Sequence, residues 1–180
     1  MKNKDMEKTD FIARLIEIRK SKGITQKQMA ERMGLKDKSM YCRYEQGIQA
    51  PSVSRFEEML NLLGYELAEV PTGYANFAQS MCEQKAVDEE KKESTLHNYG
   101  NVLKEIRISK NVEQKLITST LKMSVTTTIS RYESNIITPK LPRYSDILNI
   151  LGYEIAIVPA GYRDFARDIA EARFQMDNNK

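Results

Sequence analysis

The sequence predicts a mainly α-helical protein built from two like modules, each closing with a short β-strand and a further helix. Three observations carry this. Displaced by 88 residues, positions 15–78 lie on positions 103–166 without a gap, and 27 of the 64 pairs are identical. Each copy keeps a helical spacing of apolar residues up to a glycine, Gly64 or Gly152. Each then changes to six apolar-rich residues before a proline, 65–70 before Pro71 and 153–158 before Pro159, which reads as a strand. A repeat this long is a whole small domain rather than a solenoid unit.

The elements follow in order. Phe11, Leu15 and Ile18 fall at i, i+4 and i+7 with Ile12 and Ile16 beside them, giving an amphipathic first helix that Lys22-Gly23 stops. Thr25 is an N-cap, and Gln28 three residues on completes a capping box for a short second helix. Gly34 suits its left-handed end. A third short helix opens at Asp37 or Lys38 and runs to about Gln46, before Gly47. Pro51 precedes a fourth, 52–63, in which Phe56, Met59, Leu60 and Leu63 form one stripe. A last helix follows each strand, about 74–93 and 161–176. The chain therefore divides into a flexible N-terminus (1–10), a first domain with its strand and long helix (11–93), a linker (94–98), a second domain with strand and helix (99–176) and a tail (177–180).

A lone strand leaves its backbone donors and acceptors unpaired. The partner expected for 65–70 is 153–158, and antiparallel pairing relates the copies by an approximate two-fold axis inside one chain. Each module is close to the lower size limit for a self-sufficient core, so packing one on the other helps both.

Composition narrows the class. A hydrophobic fraction of 41% with 29% charged residues is ordinary for a globular chain. No apolar stretch reaches membrane-helix length, and Met1-Lys2-Asn3-Lys4-Asp5 lacks the apolar core of a signal peptide, so a cytoplasmic protein with no membrane partner is expected. Cys42 and Cys82 have no counterparts in the second copy and read as reduced thiols. The single histidine, His97, reads as a solvated linker residue. The net charge of +3 is unevenly spread. Residues 11–50 hold nine Lys or Arg against four acids, and residues 99–138 hold six against three. Basic charge confined to the first half of each copy suits a phosphate-facing surface.

Two short helices joined by a tight turn, the second followed by Gly and then Pro, make a helix-turn-helix pattern. Here Ile24-Thr25-Gln26-Lys27-Gln28-Met29-Ala30-Glu31-Arg32-Met33-Gly34-Leu35, then Lys38-Ser39-Met40-Tyr41-Cys42-Arg43-Tyr44-Glu45-Gln46-Gly47, then Pro51-Ser52, resembles the Cro/CI-type (XRE) family of DNA-binding domains. The resemblance covers roughly 11–64 and, more weakly, 99–152. It implies two lambda-repressor-like helix-turn-helix domains in tandem. Ala30 is small where the short helices approach, and Met29, Met33, Leu35, Tyr41 and Tyr44 supply apolar inner faces. By resemblance, Glu45 is a structural ion-pair partner.

The exposed residues carry the expected chemistry. Gln26 and Lys27 stand at the start of the second helix, where side chains and backbone N–H groups meet phosphate. Lys36, Lys38 and Ser39 open the third helix, which the resemblance sets against base edges in the major groove; Lys38 can donate to guanine. Arg43 lies one turn on, and Gln46 with Gly47 can offer the backbone to phosphate. The second copy keeps Gln114, Lys115 and Arg131 but has Ser124-Val125-Thr126-Thr127-Thr128 where the first has lysines; Thr126 and Thr127 can bond phosphate or pack a methyl on thymine. Ala30 becomes Thr118, Gly34 becomes Lys122 and Gly47 becomes Asn135. Lysine enters the left-handed region less readily than glycine, so the turn at Lys122 is expected to differ.

The resemblance implies a sequence-specific regulator of double-stranded DNA, most simply a repressor, acting as an intramolecular pseudo-dimer on an imperfect inverted repeat. A protein-interaction module on the same scaffold, antitoxin-like or phage-encoded, is the alternative; its surface would be Tyr74, Phe77, Met81, Tyr162 and Phe165, which also suit a mutual interface of the copies. A homodimer is left open. Neither a phosphate-cradling glycine loop, nor a His/Cys cluster, nor a nucleophile with a placed base is present, so no enzyme, metal or cofactor is expected.

Overall fold

The structure, a computed structural model, describes residues 6–88, 97–125 and 127–179, apart from the side chains of 6–10 and 88. The elements are α1 (Met6–Ser21), α2 (Gln26–Arg32), α3 (Ser39–Glu45), α4 (Val53–Asn61), β1 (Tyr65–Pro71), α5 (Ala75–Asp88), α6 (Tyr99–Ser109), α7 (Gln114–Thr120), α8 (Thr127–Glu133), α9 (Leu141–Ile150), β2 (Tyr153–Pro159) and α10 (Arg163–Asn178). The order of the first six recurs in the second six.

Local chemistry fixes the boundaries. Thr25 and Gln28 form the capping box on α2, Thr25 Oγ1 accepting the Gln28 amide at 3.2 Å and Gln28 Oε1 accepting the Thr25 amide at 2.8 Å. Ser52 caps α4 by accepting the Arg55 amide at 3.2 Å, and Asn98 caps α6 by accepting the Asn101 amide at 3.0 Å. Helix α1 already begins at Met6, inside the stretch expected to be flexible, and α10 runs through Asn178, into the expected tail. Helix α5 is described to Asp88; the expected continuation to 93 and the first three linker residues lie outside the described residues.

The turn at Lys122 corrects the sequence reading. Lys122 takes φ 51°, close to the 64° of Gly34. In both turns one amide reaches back to the same carbonyl, Leu35 N to Ala30 O and Met123 N to Thr118 O, each at 2.9 Å. Those bonds and the buried Met33 and half-buried Leu121 around them outweigh a left-handed penalty of about 1–2 kcal/mol for a non-glycine residue.

Strands β1 and β2 pair antiparallel, with Ala68 opposite Ala156 at the centre and Tyr65 opposite Pro159 at one end. Ala68 and Ala156 are 88 residues apart, so each strand meets its own counterpart. The contacts around the ribbon are reciprocal in the same sense. Thr72 N bonds Gly152 O while Ala160 N bonds Gly64 O, both at 3.0 Å. Val53 N bonds Pro139 O while Leu141 N bonds Pro51 O, again both at 3.0 Å.

A two-stranded ribbon needs cover on both faces. One face carries Leu67, Tyr153, Ile155 and Ile157 into a single core that also holds Leu15, Met29, Phe56 and Leu60 from the first helical head, α1–α4, and Leu103, Ile117, Tyr144 and Leu148 from the second, α6–α9. The other face carries Ala68, Val70, Ala156 and Val158 against Ala78, Cys82, Tyr162, Ala166 and Ala170 of α5, α10 and the turn before α10. The alanines let helix and ribbon approach closely. Helix α5 packs chiefly on β2 and α10 chiefly on β1, so each half covers the strand of the other. Tyr162 is thus buried in this interface, with Tyr74 and Phe165 packed at its edge.

His97 is the second correction. Its ring is not solvated: the side chain is 4% exposed, lies 2.9 Å from Glu69 Oε1 through Nε2, and meets the Tyr99 ring edge-on at 4.3 Å between centroids.

Candidate nucleic-acid interface

In each head the third helix, α3 or α8, is held by one three-residue clamp. Arg19 of α1 donates to both oxygens of Glu45 at the end of α3, Nε to Oε1 at 2.6 Å and a terminal nitrogen to Oε2 at 3.0 Å, and its other terminal nitrogen donates to Ile24 O at 2.6 Å. Gln26, the first residue of α2, donates its amide to Glu45 Oε2 at 2.7 Å. The set ties α1, the α2 entry and the α3 exit together. The second head repeats it: Arg107 bonds Glu133 at 2.6 and 3.0 Å and Val112 O at 3.0 Å, and Gln114 donates to Glu133 Oε2 at 2.8 Å.

Bidentate arginine–carboxylate pairs are the strong, directional kind. Burial by itself would raise the Glu45 carboxyl, but the bonds from Arg19 and Gln26 outweigh it and hold the group below the usual carboxylate range. The Glu45 bond raises Arg19, and the Glu133 bond raises Arg107, each against the opposing pull of burial.

Gln26 and Gln114 are therefore half-buried, with amide nitrogens bonded to the clamp. What they turn outward is the start of a helix, whose first backbone N–H groups have no partner within it. Lys27 and Lys115, beside them, are exposed; Lys27 makes a long contact to Glu31, 3.8 Å, one turn on.

Lys36, Lys38 and Ser39 are exposed at the entry of α3, and Arg43 and Gln46 are exposed further along it and just past its end. Asp37, between the two lysines, accepts bonds from the Ser39 amide at 2.6 Å and the Ser39 hydroxyl just ahead of the helix, which hold its carboxyl below the ordinary range. Sequence reasoning placed Asp37 at the opening of this helix but did not assign it the bond to Ser39, although an acid two residues before a helix-opening serine makes a recognised local bond. It also passed over Arg19 and Arg107, whose retention at the same place in both copies was the available signal. Among the described residues, no acid pairs with Lys36, Lys38, Arg43, Lys115 or Arg131. Cys42 lies on the inner side of α3, its thiol donating to Gln26 Oε1 at 3.2 Å.

The second head brings Thr127 and Arg131 to the equivalent exposed places; Thr126 lies outside the described residues. Ser124 and Val125, just before them in the chain, carry no charge. Leu116 and Val125, 52% and 50% exposed, stand where the first head has Gln28 and Asp37. The two heads thus share a frame and differ in what they present.

Among the described residues no group of His, Cys, Asp and Glu is arranged to hold a metal ion, and no helix is long and apolar enough to cross a membrane. Neither a curated protein nor a solved structure matches the chain. The helix-turn-helix family model matches residues 15–70, from the second half of α1 through most of β1, so the first head contains a helix-turn-helix domain of the XRE type, which suggests DNA binding.

Proposed function

We propose that the chain is a sequence-specific DNA-binding regulator, not an enzyme, in which two helix-turn-helix heads, the products of a tandem duplication, act as an intramolecular pseudo-dimer on one duplex. The observation that carries the reading is the row of exposed cations at α3, Lys36, Lys38 and Arg43, which meet no acid among the described residues. They stand on a frame whose Arg–Glu–Gln clamp recurs in the second head with Lys115 and Arg131 beside it. Side-chain cations of this kind beside a helix entry suit phosphate, and the first residues of the recognition helix suit base edges.

Joining the heads makes the second contact intramolecular, so occupancy depends on effective concentration rather than on dimerisation. The simplest action is repression by occupying promoter DNA. Lys38-Ser39 against Thr126-Thr127 makes the half-sites unlike, the first favouring guanine and the second admitting a thymine methyl.

A salt titration on a duplex of random sequence tests the binding. Contacts to six or more phosphates should weaken affinity by about a thousandfold or more between roughly 50 and 200 mM salt. A flat salt response, with no binding at low salt, would remove the proposal and favour a protein-docking role for the exposed Leu116 and Val125.

A further inference from the structure

The buried charges at the ribbon are divided by sign between the two halves. Glu57 of α4 and Glu66 and Glu69 of β1 are 6%, 1% and 1% exposed, and all belong to the first half. Arg163 and Arg167, which meet them, belong to the second half, and His97, which meets Glu69, lies in the segment joining the halves. Arg163 pairs with Glu57, lies 3.2 Å from Glu66 Oε2 through a terminal nitrogen, and donates Nε to Leu67 O at 2.7 Å. Arg167 donates to Glu69 Oε2 at 2.8 Å, and His97 meets Glu69 Oε1 at 2.9 Å. Tyr144 donates to Glu69 Oε1 at 2.7 Å, and the Tyr99 hydroxyl donates to Glu57.

The counterparts 88 residues away carry no such set. Glu57 corresponds to Ser145, Glu69 to Ile157, Arg163 to Ala75 and Arg167 to Gln79. The opposite corner of the ribbon is accordingly a cleft of about 510 Å³ lined in part by Ala75, Gln79, Ser145 and Ile157. On the ribbon itself, the acid that both strands keep is served alike: Glu66 accepts the Arg163 amide, and Glu154 the Ala75 amide, each at 2.8 Å.

Two first halves paired on each other would set Glu57 and Glu69 against Ala75 and Gln79, where the cation lining the cleft is Arg14, already bonded to Glu17 and Glu83, and the places of Arg163 and Arg167 are empty of charge. Two second halves would set Arg163 and Arg167 against Ser145 and Ile157. A buried charge stripped of its partner is strongly unfavourable, whereas a satisfied pair is tolerated. We propose that Glu57 and Glu69 with Arg163 and Arg167 form a pairing code, by which this interface accepts a first half against a second half and rejects like against like. The chain then closes on itself, and neighbouring copies do not assemble through like ribbons. The code rests on the two halves being equivalent and not on DNA binding, so its test uses no DNA.

Moving the cations tests it in the full chain. The variant A75R/Q79R/R163A/R167Q keeps the charge total but gives the first half both signs, so two first halves become complementary and the closed chain loses its matches. With Ala68→Cys added, a ribbon of two first halves sets the introduced thiol against its own copy in the second chain. The expected results are a doubling of sedimenting mass from 20.8 kDa and a mapped disulfide between the two introduced thiols, with neither in the chain carrying Ala68→Cys alone. A folded monomer in the moved-charge variant, or that same interchain disulfide in the chain carrying only Ala68→Cys, overturns the code.

If the moved-charge variant does not fold, a cycle on Glu69→Ile and Arg167→Gln decides. The pair together should lower the urea midpoint less than the sum of the single changes; additive losses overturn the proposal.

Discussion

Asn135 and Gly100 are fitted to one another. The Asn135 side-chain oxygen accepts the Gly100 amide at 3.2 Å, and a Cβ placed on Gly100 would lie 2.5 Å from that oxygen and 2.3 Å from Tyr132 O. The corresponding positions of the first head hold Gly47 and Ile12, so the larger residue has changed sides. Gly100→Ala should therefore cost about 1–3 kcal/mol, the usual penalty for forcing atoms into a filled site. Chemical denaturation of the full chain reads it, and an unchanged midpoint would mean that α6 moves aside freely.

Lys122 tests the left-handed turn from the other direction. Because its φ of 51° disfavours a side chain with a Cβ, Lys122→Gly should leave the protein as stable or raise stability by up to about 1 kcal/mol, the strain relieved being partly offset by the greater freedom of the unfolded chain. A clear loss in the urea midpoint would mean that the lysine side chain holds the turn.

The clamp should be structural first. Glu45→Ala leaves the buried Arg19 guanidinium without its carboxylate and should cost about 3–5 kcal/mol, and Glu133→Ala should do the same beneath Arg107. Thermal unfolding compares them. Lys38→Ala should leave stability within about 0.5 kcal/mol while weakening DNA binding by about 1–3 kcal/mol, with relaxed preference in one half-site only. Equal weakening on every sequence would make Lys38 a phosphate contact instead.

Glu69 sets an acid limit. Burial pushes its carboxyl up, but the bond and charge of His97, the charge of Arg167 and the bond from Tyr144 prevail and hold it at about 2, against 4.5 for a free group. A carboxyl lowered by folding contributes stability that is present above the unfolded value and is lost as pH falls through the folded one. The loss should therefore fall between pH 4.5 and about 2 and amount to on the order of 3 kcal/mol. Urea midpoints collected from pH 6 to 2 for the native chain and Glu69→Gln check the sign, because the variant should lack this part of the slope.

Much of the frame was legible in the sequence because it rests on local rules. Thr25 with Gln28 announces the start of α2, and the stripe from Phe56 to Leu63 announces a buried face. The six residues before Pro71 and Pro159 announce two strands with only each other to pair with. The residues that fail to show themselves act over long range. His97 reads as linker until Glu69, 28 residues earlier, supplies its partner, and nothing local marks Arg163, whose partners Glu57 and Glu66 are about a hundred residues earlier. Lys122 reads as a changed turn because propensity alone ignores the bonds that close it. At the candidate interface, exposure of the lysines and arginines followed from the pattern, whereas the half-burial of Gln26 followed from Glu45, 19 residues away.

Selection of bound duplexes from a random pool by the intact chain tests the central claim most directly. The proposed reading predicts enriched sequences with two unlike half-sites in inverted orientation at one fixed spacing, about one DNA turn from centre to centre. Enrichment of a single half-site, or of no sequence at all, would contradict it.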